Sequence, residues 1–409
     1  MHDVLIVGGG MVGASLAVAL QPLGLSVAMV EAFPFGQAEQ PAYDDRSIAL
    51  SYGSSRIYQG MGIWAALRKG LEPIRDIHVS DQGHFGVTRL NAAREKVPAL
   101  GYVVESRVLG EVLHAVLQTG STQLLSPARV FALAHASDHV RVKIERNGVV
   151  DELQTRLLVV ADGAKSPVRK MLGVEVRQRD YQQSAVIANV STERAHNNLA
   201  YERFTPNGPL ALLPMTQGRY SLVWTQANDQ LQSILQMDDA SFLAHLQHAF
   251  GFRQGRFMRV GQRSAYPLVL VKSKQEMAER AVIIGNASHT LHPVAGQGLN
   301  LALRDVAVLC DLLADEQKVQ GDYGNADLLA TYSQLRRPDF RAVLNYTDSL
   351  VRIFSNDFAP LGHARAAGLL AVDRIAPLRD LLARQSMGLR FRQARLSRGL
   401  SLLYEPSAS

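Results

Sequence analysis

The sequence predicts an α/β fold, and three observations carry that prediction. A strand, glycine turn, helix and second strand succeed one another between Asp3 and Glu31. Two later apolar strands, 157–161 and 281–284, each run into a polar turn that contains glycine. Between them lie alternating stretches such as SAVIANVS, LALLPM and RYSLVWT, the pattern of sheet strands with one covered face.

Length and composition bound the possibilities. The 409 residues are too many for one small core and enough for two domains or one interleaved pair. Hydrophobic residues at 47% and charged residues at 20% exclude a disordered or collagen-like chain. The single cysteine, Cys310, excludes intramolecular disulfides and sites built on several thiolates, so redox chemistry has to come from a bound cofactor. Within VAVLCDLLAD, Cys310 itself reads as a buried structural thiol. The apolar start, Val4 to Val30, is interrupted by Gly8, Gly9, Gly10 and Gly13 and lacks a basic leader, so it reads as neither a secretory signal nor an anchor. No later stretch is long and apolar enough to span a bilayer. The expected location is the cytoplasm.

The first element is a βαβ unit: DVLIV, then Gly8-Gly9-Gly10-Met11-Val12-Gly13, then ASLAVALQPLG, then LSVAMVE. Gly8 permits the tight turn, Gly10 lets backbone N–H groups approach a pyrophosphate, and Gly13 lets helix and strand pack closely. The helix N-terminus then faces negative charge. Glu31 closes the second strand about 20 residues on, where a carboxylate accepts from ribose hydroxyls and repels a 2′-phosphate. With strand, helix and acid all in place the unit reads as a dinucleotide site. Taken alone, it does not distinguish FAD from NAD.

LLVVADGAKSPVR, 157–169, brings the turn pair Asp162-Gly163 to a strand end. RAVIIGNASHTLHPVAGQGLNLALRD, 280–305, ends its strand at Gly285 and opens a helix at Gly296-Gln297-Gly298, whose free N–H groups can face an anion. From Leu361 to Leu400 eight arginines (365, 374, 379, 384, 390, 392, 395, 398) outnumber Asp373 and Asp380 among apolar residues. That reads as a basic amphipathic helix, suited to solvent, an anionic membrane surface or a partner protein. The net charge of +6 is accompanied by no nucleic-acid-binding motif.

At these residues the chain resembles the group A flavin-dependent aromatic hydroxylases, the fold typified by para-hydroxybenzoate hydroxylase. GGGMVG, DG and GNASHTLHPVAGQGLN fall in the family's order. Within the family it is most similar to the ubiquinone-biosynthesis branch, in particular the 2-octaprenyl-6-methoxyphenol hydroxylases. DDRSIALSYGS, HVSDQGHFG, GYVVESRVLG and SAVIANVSTERAHNNLAYERFTPNGPLALLPM carry that likeness, so it spans nearly the whole chain. The resemblance implies a Rossmann-like FAD-binding domain (1–70, 101–176 and 272–340) interleaved with a sheet-based substrate domain (71–100 and 177–271), followed by a C-terminal helical region (341–409). It implies hydroxylation of a polyprenyl phenol ring, 2-polyprenyl-6-methoxyphenol foremost, through a flavin C4a-hydroperoxide. NAD(P)H is then the transient reductant and molecular oxygen the co-substrate. Its implied setting is a ubiquinone-biosynthesis complex, peripheral at the inner face of the membrane. Hydroxylation at another ring position, another flavoenzyme reaction and a flavin-binding scaffold role are the alternatives.

Residue by residue, the resemblance puts Gly8, Gly10, Met11, Val12, Gly13 and Glu31 on the FAD. It puts Arg46 and Arg107 along the cofactor, Arg107 at the pyrophosphate, with surface ion pairs as the competing role. Val130 offers its backbone to adenine while its side chain belongs to the core. Asp162 lies near phosphates and ribose, or serves only the turn. Gly285 is followed by Asn286 where most members have Asp; an amide oxygen still accepts a hydrogen bond, at a loss of ~1 kcal/mol against a charged acceptor. Pro293 packs beside the reactive flavin edge. Gly296, Gln297 and Gly298, with Leu299 and Asn300, aim a helix N-terminus at the flavin N1 and C2 carbonyl. His289 and His292 read as loop-shaping and not as metal ligands, because no Asp, Glu or Cys supports them. Leu212, Pro214 and Trp224 are the candidate substrate-pocket residues, with core packing as the alternative.

Overall fold

The computed structural model describes residues 1–35, 47–291, 296–354, 359–391 and 393–404. Continuous apolar strands demand cover on both faces, and the N-terminal strand His2–Val7 receives it. Val4 and Ile6 join a cluster with the helices Met11–Leu20 and Gln297–Lys318. Leu5 and Val7 join a second cluster with Val130, Val140 and Val142. The strand pairs in parallel with Val27–Val30 on one side and Val149–Val160 on the other. Gln123–Leu125 and Ala281–Ile283 extend the sheet as further parallel strands. The antiparallel strands Val140–Arg146 and Arg129–His135 branch from Val149–Val160. The predicted Rossmann-like layer is therefore present.

A second sheet forms from the middle of the chain. Its order is His289–Thr290, Ser264–Ser273, Val176–Thr192, Arg219–Ala227, Gly208–Met215, Leu199–Thr205, Asp76–Asp81 and Val87–Asn91. One face packs on the helices Asn228–Gln236 and Asp239–Phe250 around Leu210, Leu222 and Phe242. A three-stranded antiparallel sheet of Ser47–Ser51, Gly101–Glu105 and Leu71–Ile74 lies between the two. Two expected boundaries shift accordingly. Leu71–Ile74 pairs with Gly101–Glu105 and not with the substrate-side strands, whereas His289–Thr290 pairs with Ser264–Ser273.

The helix Ala326–Phe354 runs straight through the expected 340/341 boundary despite Pro338 in its interior. Proline removes one backbone donor, which a helix of 29 residues with an amphipathic face tolerates. The basic C-terminal stretch is two helices, Ala359–Arg374 and Ala376–Ser386, and not one. Part of its charge is structural: Arg365 Nε binds Asp81 at 3.0 Å, and Arg395 binds Asp311 at 2.9 Å and Asp315 at 2.7 Å. Among the described residues no helix is long and apolar enough to cross a membrane.

Candidate active site

The glycine turn has the geometry a dinucleotide needs. Gly8 has φ 104°, and a side chain there would collide with the carbonyl of Ala161 on the neighbouring strand. A Cβ on Gly13 would strike the Gly8 carbonyl, whereas one on Gly10 would meet nothing within 4 Å. The crowded positions hold the turn together, and the open one leaves the approach clear. Glu31 is buried beside it: Gly9 N donates to Oε2 at 2.5 Å and Phe33 N to Oε1 at 2.9 Å. Each oxygen keeps a second lone pair for another donor.

Asp162 stands at the adjoining strand end. Its Oδ2 accepts from Val168 N at 3.2 Å, while Oδ1 is buried with no partner among the described residues. Burial pushes its pKa above the ordinary carboxylate value, against the opposing hydrogen bonds of Ser166 and Val168. A buried acceptor without a donor costs about 1–3 kcal/mol, so this oxygen is placed to receive one. Arg169, fully buried, ties this turn to the next: Nη1 donates to Ala287 O at 2.5 Å and Nη2 to Ala164 O at 3.2 Å. Nothing in the local sequence signals that tie beyond the arginine in SPVR.

The third turn leads from Gly285 into the helix Gln297–Lys318. Asn286 is exposed to a large cavity, and Gly296, with φ 58°, caps the helix against Ala49. Gly298 and Leu299 line the same cavity. Asn300 has a clamping role that its place in the motif did not reveal. Its Oδ1 accepts from Ser51 N at 2.8 Å and Ser54 Oγ at 2.7 Å, while Nδ2 donates to Ala49 O at 2.8 Å and Gly296 O at 2.6 Å. The side chain thus fixes the helix start against the strand Ser47–Ser51 and is spent on protein.

A buried ion network sits behind this turn. Arg336 Nε donates to Asp305 at 2.7 Å and Nη1 to Asp339 at 2.6 Å; Arg304 Nε reaches Asp339 at 2.7 Å. Burial works against the charge of Asp339, but Arg304 and Arg336 outweigh it and hold the carboxyl below its usual range. Asp305 also faces Gly285 N at 3.4 Å and His289 Nε2 at 3.5 Å. Burial lowers the His289 pKa despite Asp305. Arg46, His292 and Pro293 lie outside the described residues.

The cavity measures about 920 Å³ and is lined chiefly by apolar groups from three sources: the sheet floor, the Ser47–Ser51 strand with the helix start at Gly296, and the C-terminal helices. Ser47 Oγ and Thr290 Oγ1 in its wall are buried without partners among the described residues. A polar cavity of about 540 Å³ adjoins it, sharing Ile187 and Tyr266, with Arg107, Arg219 and Arg259 in its wall. Arg107 makes the competing surface pairs, to Glu111 at 2.8 Å and Glu105 at 3.5 Å. Val130 buries its side chain in the core.

The three substrate-pocket candidates need correction. Leu212 and Trp224 are buried on the far side of the sheet, Trp224 with its ring 6.0 Å from Phe242, and Pro214 shares the parity of Leu212. Their neighbours Ala211, Leu213 and Val223 face the cavity instead. Choosing the largest apolar side chains selects the packed face, because a cavity is left where residues are small. The alternation was legible; which of its two phases faced the cavity was not.

Comparison with known proteins agrees with this geometry. Residues 1–347 match the family model described as FAD binding domain. The chain is 40% identical over 387 residues to the ubiquinone hydroxylase UbiL of Rhodospirillum rubrum, covering 94% of this chain and 89% of that one. It is 31% identical over 392 residues to the 3-demethoxyubiquinol 3-hydroxylase of Escherichia coli, covering 95% and 98%. The crystal structure of p-nitrophenol 4-monooxygenase from Pseudomonas putida superposes with a TM-score of 0.80 at 17% identity, covering 96% of this chain and 99% of that one.

Proposed function

The chain belongs to the FAD-dependent hydroxylases of ubiquinone biosynthesis, and from that premise we propose that it hydroxylates the ring of a polyprenyl phenol, 2-polyprenyl-6-methoxyphenol foremost. The observation that carries the proposal is the cavity of about 920 Å³, lined chiefly by apolar groups, that runs from Asn286 and the Gly296 helix start to the helices Ala359–Arg374 and Ala376–Ser386. A ring can lie against the flavin end while an isoprenoid tail extends toward the helices, its burial driven by ~0.8 kcal/mol for each methylene removed from water.

FAD fits the residues present. Gly8, Gly10, Met11, Val12, Gly13 and Glu31 would hold the adenosine and pyrophosphate, Val130 the adenine, Asp162 the ribose side, and Gly285, Asn286 and Gly296 to Leu299 the flavin. Bound and reduced, the flavin supplies the activation of molecular oxygen, with NAD(P)H as reductant. The chain supplies the environment. The N-terminus of Gln297–Lys318 favours negative charge at the flavin edge, and Leu213, Val223 and Leu268 keep water from the ring.

Peripheral membrane contact accompanies this reading. Leu370, Leu378 and Leu381 on the two helices that close the cavity, and Ile375 between them, are more than two-fifths exposed, with Arg374 and Arg384 exposed beside them. Aliphatic side chains flanked by cations suit an anionic inner membrane face, where a polyprenyl substrate resides.

The deciding experiment supplies FAD, NADH or NADPH and 2-geranyl-6-methoxyphenol to the purified protein and analyses the product by mass spectrometry and NMR. A product one oxygen atom heavier, substituted on the ring, is expected. Hydroxylation of a demethoxyubiquinol analogue in its place would favour the second reading, a different ring position, which the Escherichia coli relative's name suggests. NAD(P)H oxidation with no oxygenated product from either would overturn both.

A further inference from the structure

One group in the cavity is out of keeping with the rest. On the strand Leu199–Thr205, Ala200, Glu202 and Phe204 face the cavity, while Arg203 turns to the helix Asp239–Phe250 and Tyr201, at the edge of the wall, sets its ring against Phe250 of that helix. The residues paired with Glu202 across the sheet, Val79 and Ala211, also line the cavity. Its carboxyl therefore rises from an apolar sheet floor. Among the described residues it makes neither a hydrogen bond nor an ion pair, and it is the one carboxylate in the cavity wall. An unpaired carboxylate in such surroundings is costly, and a packing role would be served as well by Gln or Leu. The Ala200–Leu213 row, next to the small sheet that carries Ser47–Ser51, lies two residues away, about 7 Å along the strand.

We propose that Glu202 accepts the proton of the substrate's ring hydroxyl: it receives the phenol's hydrogen bond, and as the ring is attacked the O–H bond breaks, its electron pair stays on the phenolate oxygen and the carboxylate becomes a carboxylic acid. This rests on the phenol-hydroxylating reading above, which supplies oxygen and reductant. A phenolate is the more electron-rich ring, and its formation inside an apolar cavity needs a built-in acceptor. Burial pushes the Glu202 pKa up to about 7, which narrows the gap to a phenol near 10 and lets one carboxyl both accept and release the proton near neutrality. The other titratable or charged groups in the described wall are Tyr201, Tyr266, Tyr346 and Arg365. Burial pushes Tyr346 up, with the Glu202 charge adding to it and a hydrogen bond to Ser386 opposing, and Arg365 is held by Asp81. Glu202 is thus the carboxyl in the wall placed to change charge near neutrality.

The test titrates FAD-loaded protein with 2-geranyl-6-methoxyphenol and with its O-methyl ether, following the flavin absorption between pH 5 and 9. Affinity for the phenol should rise as pH passes through about 7 and that for the ether should not; identical profiles in the wild-type protein would overturn the proposal. E202Q should keep its FAD, lose the pH step and hydroxylate roughly 10²–10⁴-fold more slowly, with reducing equivalents diverted to hydrogen peroxide. E202D should keep the step. An E202Q protein that hydroxylates as the wild type does would also overturn the role. Wild-type protein that takes up FAD but neither binds nor hydroxylates the phenol would instead remove the proposed reaction, and the Glu202 role with it.

Discussion

Replacing Leu212 and its neighbour Leu213 separately by alanine tests the orientation of the cavity floor. Leu212 is fully buried in the cluster under the helices Asn228–Gln236 and Asp239–Phe250, so Leu212→Ala removes packed atoms and leaves a void. The loss is about 3 kcal/mol, within the 2–5 kcal/mol typical of such truncations. For a chain of 409 residues the unfolding entropy near the midpoint is about 0.9 kcal/mol/K, so Tm falls by about 3–4 °C. Leu213 already faces open cavity, and Leu213→Ala costs about 1 kcal/mol or less but widens the substrate space. Thermal melts followed by circular dichroism, with steady-state kinetics on a prenyl phenol, separate the two. Leu212→Ala should lower Tm with KM nearly unchanged, and Leu213→Ala should move KM with Tm nearly unchanged. The reverse assignment would refute the orientation of the strand.

Three further outcomes follow from the same structure. Arg336→Met leaves Asp305 without its buried cation and Asp339 with Arg304 alone, and should destabilise by about 3–5 kcal/mol in urea unfolding, with faster FAD release because Asp305 faces Gly285 N. Glu202 binds its proton more tightly folded than unfolded, so the native state is favoured below the ordinary carboxyl pKa of 4.5 and that stability is lost as pH rises through about 7; E202Q, which does not titrate, should gain on the wild type by up to about 3 kcal/mol between pH 5 and 8, read from urea midpoints. Leu378→Asp combined with Leu381→Asp should abolish co-sedimentation with phosphatidylglycerol vesicles while leaving FAD content unchanged; unchanged sedimentation would sink the membrane-contact reading.

Much of the site was legible because its chemistry is local in the chain. Gly8, Gly10, Gly13 and Glu31 lie within one βαβ unit, where spacing alone dictates turn, helix start and acid. The helix opened by Gly296 and the Asp162 turn were readable for the same reason: each is a strand end followed by a short polar loop.

What the sequence by itself determined was the parallel layer, the three glycine-bearing turns and the family likeness, all set by backbone requirements of neighbouring residues. What only the tertiary structure decided was which face each strand of the second sheet turns to the cavity, and with it the exchange of Leu212 and Trp224 for Leu213 and Val223 and the emergence of Glu202. A strand's alternation fixes two faces but not which is covered, and that is settled by the distant helices Asn228–Gln236, Asp239–Phe250 and Ala359–Arg374 that pack on them. Arg169, Asn300 and Arg336 belong to the same class, because their partners lie tens to hundreds of residues away or behind the turn they hold.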